Sequence, residues 1–342
     1  MSPATDTVPV NRDRHATSRG PVLALDLGAS RIRAAVVAQD ARLLARGERR
    51  TPGADGPAAV VEACIAQLRQ VLASVDDATR RGIVGVGISA IGPVDAASGT
   101  IIDPPNVGPG FVNVAIGPSV ADALALPVVV ERDTNVAALG EQSFGAARGA
   151  RDFLYITVST GLGGAIVAGG ELYGGADGGA GEMGHVPVQL DEPPCGCGGA
   201  GHLEALSSGS GIARQARIAV EAGRAPGLAA VADRVAPEPL EARHVAEAAD
   251  AGDADAAAIM ELARRSFAAA IVGFVNVFNP ELIVVGGSLA RAQGDRWLDP
   301  ARREVERIAF TIPRRRVRIV AAALGDDVGL VGAQPLIALR GG

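Results

Sequence analysis

The chain contains no lysine: its 32 basic residues are all arginine, set against 38 acidic ones for a formal net charge of −6. In a chain that also carries 45 glycines and abundant alanine, this reads as compositional bias and not as chemistry. The acidic balance excludes the broad basic face of a nucleic-acid binder, so no nucleic-acid partner is expected. Cysteine is scarce. There are three, an odd number for a disulfide framework, and two of them, Cys195 and Cys197, stand one residue apart, which suits a metal better than a disulfide. Long apolar runs are missing as well. Residues 1–20 are polar, hold no apolar core of signal-peptide length, and read as a disordered tail. The longest apolar stretch, around Phe267–Phe278, is interrupted by Gly273 and Asn276 and stops at Asn279-Pro280, too short and too polar to cross a bilayer. No membrane partner and a cytoplasmic location are therefore expected.

What is present is a large apolar fraction: 48% of 342 residues, enough for two lobes. An apolar run over Pro21–Asp26, the small turn Leu27-Gly28-Ala29-Ser30 and a second run over Ile32–Val37 predict an opening β-hairpin. Residues 57–75 place Val60, Val61, Cys64, Ile65, Leu68, Val71 and Leu72 at helical spacing, and Ile83–Ile88 and Val128–Val130 read as short buried strands. The second leads into Arg132-Asp133-Thr134-Asn135 and a helix to about Phe144. The opening theme then returns: a strand at Phe153–Val158, a Gly-rich turn at Ser159–Gly164 and a return strand at Ala165–Val167. The segments LALDLGASRIRAAVV and YITVSTGLGGAIVAG read as an internal repeat, and hence as a duplicated lobe. Residues 203–223 and 241–278 read as largely helical, and Glu281–Val285 as a late strand ending in Gly286-Gly287-Ser288. Strands alternating with helices indicate an α/β fold with mixed sheets.

Each small turn has two readings. Small residues at Gly28, Ala29 and Ser30 let backbone N–H groups approach phosphate oxygens, and Asp26 at the strand end can hold magnesium through water; an ordinary tight hairpin needs the same residues. Thr160, Gly161 and Gly163 in the second turn offer the same chemistry, and two such turns in a repeated context point to a nucleotide held between two lobes. Asp133 stands where a strand meets a helix. It is either a helix cap or the carboxylate that accepts a hydroxyl proton in phosphoryl transfer to an alcohol. Gly286 and Gly287 would let a flat base lie against the backbone.

The most specific cluster lies between residues 182 and 204. His185, Cys195, Cys197 and His202 supply four ligands of the kind that close a tetrahedral zinc site, and a site with no open position is structural. Glu182 and Glu204 flank it, and carboxylates on a metal-braced loop suit hydrogen bonds from sugar hydroxyls.

Together these segments resemble the ROK family of repressors, open reading frames and sugar kinases, from about Pro21 to Gly332. GAGEMGHVPV and CGCGGAGHLEA are similar to its Glu-x-Gly-His and Cys-x-Cys-Gly elements. NPELIVVGGS is similar to its adenosine-side strand, PPNVGPGF to its sugar-side loop and ERDTNVAALGE to its catalytic segment. The resemblance implies an actin/hexokinase-like (ribonuclease H-like) ATPase fold of two lobes, a small one over 21–131 and a large one over 132–342 that carries the zinc loop, with a C-terminal helix free to return to the small lobe. It also implies Asp133 as general base, and a sugar bound by Asn106, Arg132, Asp133, Glu182, His185 and Glu204. ATP and Mg2+ would be held by Asp26, Gly28, Ala29, Ser30, Thr160, Gly161, Gly163, Gly286 and Gly287, with a structural Zn2+ beside them. Four departures stand out. Gly28-Ala29-Ser30 replaces Gly-Gly-Thr, Arg132 replaces a sugar-contacting Asn, Ile91-Gly92 replaces a Pro-Gly near the sugar, and His202 replaces the third zinc cysteine.

The activity so implied is ATP-dependent phosphorylation of a hexose, glucose first, at a hydroxyl expected to be O6, by a homodimer or homotetramer. Two rivals belong to other classes. A sugar-responsive transcriptional regulator would carry a helix-turn-helix segment, for which about twenty polar residues ahead of Pro21 are too few. A sugar-binding protein without catalysis is motivated by Ala29 and Arg132, against which stand Asp26, Asp133 and both Gly-rich turns.

Overall fold

The computed structural model describes residues 17–104, 107–108 and 110–340. The first sheet is built from β1 (Val22–Leu27), β2 (Arg31–Val37), β3 (Leu43–Arg50) and β4 (Val86–Ala90); a short ribbon of β5 (Val94–Asp95) and β6 (Thr100–Ile101) follows, and β7 (Val128–Arg132) completes the sheet. Its order is β3-β2-β1-β4-β7, antiparallel through β1, β2 and β3 and parallel from β1 to β4 to β7. The second sheet repeats this plan. β8 (Phe153–Val158), β9 (Leu162–Ala168), β10 (Glu171–Leu172), β11 (Leu282–Gly286) and β12 (Arg318–Ala321) run in the order β10-β9-β8-β11-β12, with the same antiparallel hairpins and the same two parallel pairings. The repeat read from the sequence is therefore a repeat of topology, and the architecture is the mixed-sheet α/β fold of two lobes.

The strands explain the apolar runs. β4 and β11 are buried along their whole length, since helices cover both faces of a parallel pairing and no solvent side remains for polar residues. β3 is different. LLARGERR alternates between half-buried and exposed positions along an edge strand that closes the sheet with charge. Helices start where side chains replace the missing intrahelical acceptors: Ser208 Oγ accepts from Gly211 N at 3.0 Å, and Asp253 accepts from Ala256 N at 2.8 Å. The second of these helices, Ala254–Phe278, holds the apolar stretch noted above. It buries Phe267 against Trp297, with ring centroids 5.5 Å apart, and ends at Asn279 in the left-handed region just before Pro280. Among the described residues no helix is long and apolar enough to cross a membrane.

The chain's end returns to the first sheet. Leu330, Ala333 and Ile337 are buried with Val22, Ala24, Ala35 and Val37, and Gln334 donates to the carbonyls of Gly20 and Val37. The expected tail is correspondingly shorter. Ser18 is buried and its N–H and Oγ both reach Gln334 Oε1, so residues 17–20 belong to the fold, while 1–16 lie outside the described residues.

Candidate active site

β1 and β7 both run parallel to β4, so their C-terminal ends open at the same edge of the sheet. Asp26 lies at that edge on β1, opposite Ser89, and Asp133 follows β7 directly. Both carboxylates line one cleft of about 260 Å³. Asp26 accepts from Ser89 Oγ at 3.0 Å and pairs at 3.2 Å with Arg33, its cross-strand neighbour on β2. Burial pushes the Asp26 carboxyl upward, against the opposing pull of Arg33 and Ser89. Asp133 is the first residue of the helix Asp133–Phe144, and the cap position falls on Arg132 instead. One Asp133 oxygen accepts from Thr134 N at 2.7 Å. Burial, followed by the charge of Asp26, raises Asp133 to about 6, which is where a carboxylate can both hold and release a proton near neutrality.

The second lobe closes the cleft with the matching strand end. Thr157 of β8 and Ser159 just beyond it line the cleft, together with Gly287, Ser288 and Arg291, and Ser159 Oγ lies 2.8 Å from Ser288 Oγ. Gly287 has a φ of +93° and passes so close to Val158 O that a Cβ would collide with it. The glycine pair thus has a backbone reason to exist apart from any ligand. A turn at Gly325–Asp327 forms the remaining wall. Asp326 pairs with Arg291 at 2.7 Å, which holds its carboxyl below the usual range, and Asp327 pairs with Arg46 of β3 at 2.9 Å. Beyond Ser159 and Ser288 the cleft continues into a cavity of about 650 Å³ that Thr160, Ser210, Leu240, Ala242 and Leu289 line.

The first turn is a tight hairpin beside the cleft. Gly28 N donates to Arg31 O at 2.9 Å to close it, and Ala29 and Ser30 line a neighbouring groove with Arg49 and Thr51 rather than the cleft. In the second turn Gly161 and Gly163 serve close packing. A Cβ at Gly161 would stand 2.8 Å from Glu204 Oε2, and one at Gly163 would stand 3.1 Å from Thr134. Glu204 accepts from Leu162 N at 2.9 Å, so the helix Leu203–Ser207 is tied to the start of β9. Asn106 lies outside the described residues.

Arg132 is buried, and both terminal nitrogens of its guanidinium are engaged while Nε has no partner. It donates to Glu182 at 2.6 Å, to Ala180 O at 2.8 Å and to Gly164 O at 3.1 Å. Its stem runs past Gly92, where a Cβ would stand 3.0 Å from it. Arg132 and Glu182 also line a cavity of about 510 Å³ with Pro93, Glu131, Asn135 and Arg340. His185 stands behind Glu182, with Nε2 4.0 Å from its carboxylate and Nδ1 3.9 Å from Cys195 Sγ.

The four candidate metal ligands converge. Ligand atoms of His185, Cys195, Cys197 and His202 all lie within 4.8 Å of one another, and Cys197 Sγ is 3.2 Å from His202 Nδ1. Zinc bonds of about 2.0–2.3 Å imply a tetrahedron with edges of about 3.3–3.8 Å, so small movements suffice for these residues to hold the ion. Burial pushes the Cys195 thiol upward, against a backbone hydrogen bond from Cys197 that lowers it.

Sequence reasoning missed Arg33, Thr134, Thr157, Ser159, Ser288, Arg291 and Asp326. A signal existed for two of them. Arg33 is fixed opposite Asp26 once the hairpin register is known, and Gly325-Asp326-Asp327 is an acidic turn ahead of an apolar segment.

Known proteins share this framework. The ROK family profile matches residues 22–339. A glucokinase of Thermotoga maritima is 32% identical over 321 residues, covering 93% of this chain and 98% of that protein. One of Streptomyces coelicolor is 36% identical over 323 residues, covering 93% and 97%. A crystal structure of a ROK family glucokinase from Streptomyces griseus, in complex with glucose and AMPPNP, superposes with a TM-score of 0.77 at 33% identity over 93% of this chain and 99% of that one.

Proposed function

The chain belongs to the ROK family, and on that premise we propose that it transfers the terminal phosphoryl group of ATP to a hydroxyl of a hexose, glucose first, with Asp133 as general base. It is a sugar kinase, as its similarity to glucokinases over nearly its full length supports. The observation that carries the mechanism is the pairing of Asp26 and Asp133 on one cleft, with Asp133 tuned to about 6.

In this reading the hexose lies where Asp133, Glu182 and His185 meet, and its reacting hydroxyl, O6 in our proposal, faces Asp133. The hydroxyl oxygen forms a bond to the γ-phosphorus, the bond from that phosphorus to the bridging oxygen of ADP breaks, and the hydroxyl proton passes to the Asp133 carboxylate. Asp26 would hold the magnesium of the nucleotide through water, its hard oxygens suiting that ion. Arg33 and Arg291 supply positive charge where phosphate oxygens gather, and the cavity at Leu240 and Ala242 would take the nucleoside. Glu182, His185 and Glu204 would accept and orient sugar hydroxyls. A zinc ion held by His185, Cys195, Cys197 and His202 would supply bracing, since four protein ligands leave no open position.

The test is ADP formation coupled to sugar phosphate formation, with glucose, fructose, mannose, N-acetylmannosamine and N-acetylglucosamine as acceptors. Glucose is expected to give the highest kcat/KM. Absence of hexose-dependent ADP release with every acceptor would overturn the kinase reading, and a different best acceptor would overturn only the choice of glucose.

Self-association rests on a separate observation. Val277, Phe310 and Ile312 are 76%, 71% and 71% exposed, with Phe278 and Ile308 beside them, and Phe310 N is tied to Asn276 Oδ1 at 2.8 Å so that both segments form one surface. An apolar patch of this kind suits a second copy of the chain. Light scattering should give a dimer mass or a multiple of it, and a Phe310→Ser, Ile312→Ser double variant should move the mass toward the monomer. A monomeric parent protein contradicts the assembly, and an unmoved mass in the variant contradicts its location.

A further inference from the structure

Glu141 is fully buried, two turns after Asp133 on the same helix, yet it touches no part of the cleft. Its carboxylate is saturated by backbone donors. Oε1 accepts from Ala323 N and Leu324 N at 2.9 Å each, while Oε2 accepts from Ala146 N at 2.6 Å and from Ala323 N at 3.1 Å. The seat is shaped for it. A Cβ at Gly145 would collide with Oε2, so glycine is what lets the carboxylate fold back under the end of its own helix.

The segment it grips, Ala323-Leu324, runs directly into the turn Gly325–Asp327, and that turn forms a wall of the cleft. Past the turn the same segment packs on both lobes. Gly329 sits against Asp26, where a Cβ would be 2.8 Å from Oδ1, and Gly332 passes so close to Val136 O on the Asp133 helix that no side chain fits. Two surface ion pairs, Asp326 with Arg291 and Asp327 with Arg46, hold the turn from outside, but both are solvent-exposed and so contribute little rigidity. Glu141 is the buried side chain that grips Ala323 and Leu324 directly.

We infer that Glu141 is a positioning residue for phosphoryl transfer: it locks the 323–327 wall to the helix that begins with Asp133, and so fixes the distance between the general base and the nucleotide's phosphates. The inference rests on the kinase reading above. Apart from Asp133 itself, the proposed sugar ligands Glu182, His185 and Glu204 lie on other elements. Loss of the lock should therefore act on the nucleotide and on turnover while hexose affinity stays.

The test is Glu141→Gln in the full chain. The amide keeps the shape but turns an N–H toward backbone N–H groups, so at least one buried donor loses its acceptor. The ATP KM should rise roughly tenfold, the scale of one unsatisfied buried donor, and kcat should fall, while hexose affinity measured by titration without nucleotide stays within about twofold. Gly145→Ala, whose methyl pushes the carboxylate from its seat without removing its charge, should shift the ATP KM in the same direction, and it carries the test if the glutamine variant does not fold. An ATP KM within about twofold of the parent in a folded variant overturns the inference. So does a loss in which hexose affinity, ATP KM and kcat all decline with the folded fraction. Absence of kinase activity in the parent protein would instead defeat the kinase reading, which keeps the two failures apart.

Discussion

Asp133→Asn lowers kcat for hexose phosphorylation by roughly a hundredfold or more, the scale of a lost general base, while hexose affinity changes little. The substitution keeps volume and an acceptor oxygen, so a sugar hydroxyl can still donate to residue 133, but the amide cannot take the proton. Were Asp133 only a helix cap, asparagine would serve as well and activity would survive. The structure sharpens this contrast, because the cap position belongs to Arg132 and Asp133 stands one residue inside the helix, facing the cleft. A pH profile adds an independent reading. Asp133 must be ionised to act, so kcat/KM of the parent should rise with pH through about 6 and level off above it. The asparagine variant should lose that acidic limb. The assay should follow sugar phosphate, since water can also consume ATP in an open cleft. Near-parental turnover in a folded variant would sink the mechanism.

The features legible in the sequence are the ones written locally. Both hairpins of the repeat were readable because each is two buried strands around small residues, and Asp26 and Asp133 because each ends an apolar run. The cluster of His185, Cys195, Cys197 and His202 was readable as four unusual residues in one loop. What escaped depends on pairing at a distance. β3 hides behind LLARGERR, whose alternating charge suits an edge strand but has no apolar face long enough to declare it. Arg291 and Asp326 are 35 residues apart and meet only when β11 and the returning C-terminal segment pack together. Glu141 looks like one more acid on a helix until the chain's end, 182 residues later, supplies its donors. Gly28, Ala29 and Ser30 have a local reason as well. A turn suited to phosphates by composition closes on Arg31 and Thr51, and it opens on a groove beside the cleft.

Removing the zinc ligands separates bracing from chemistry. We expect one zinc per chain by elemental analysis and none in a Cys195→Ser, Cys197→Ser variant. The loop they would leave is rich in glycine and otherwise held mainly by backbone ties, among them Cys195 N to Gly199 O at 2.7 Å, Gly201 N to Pro193 O at 2.9 Å, Val188 N to Gly201 O at 2.8 Å, and the bridges Pro187–His202 and Pro194–Ala200. His185 belongs both to this cluster and to the neighbourhood of Glu182, 4.0 Å away, so loss of the ion frees the ring that faces the sugar side. The hexose KM should therefore rise about 10–100-fold, the range seen when the supports of a site are removed, and thermal stability should drop. Turnover at saturating hexose should suffer much less, because Asp133, Asp26 and the Gly325–Asp327 turn are anchored on other elements. An ion acting in catalysis would give the reverse pattern, with kcat collapsing at unchanged KM. A zinc-free protein with parental hexose KM and thermal midpoint would show that the four residues converge without holding the site together.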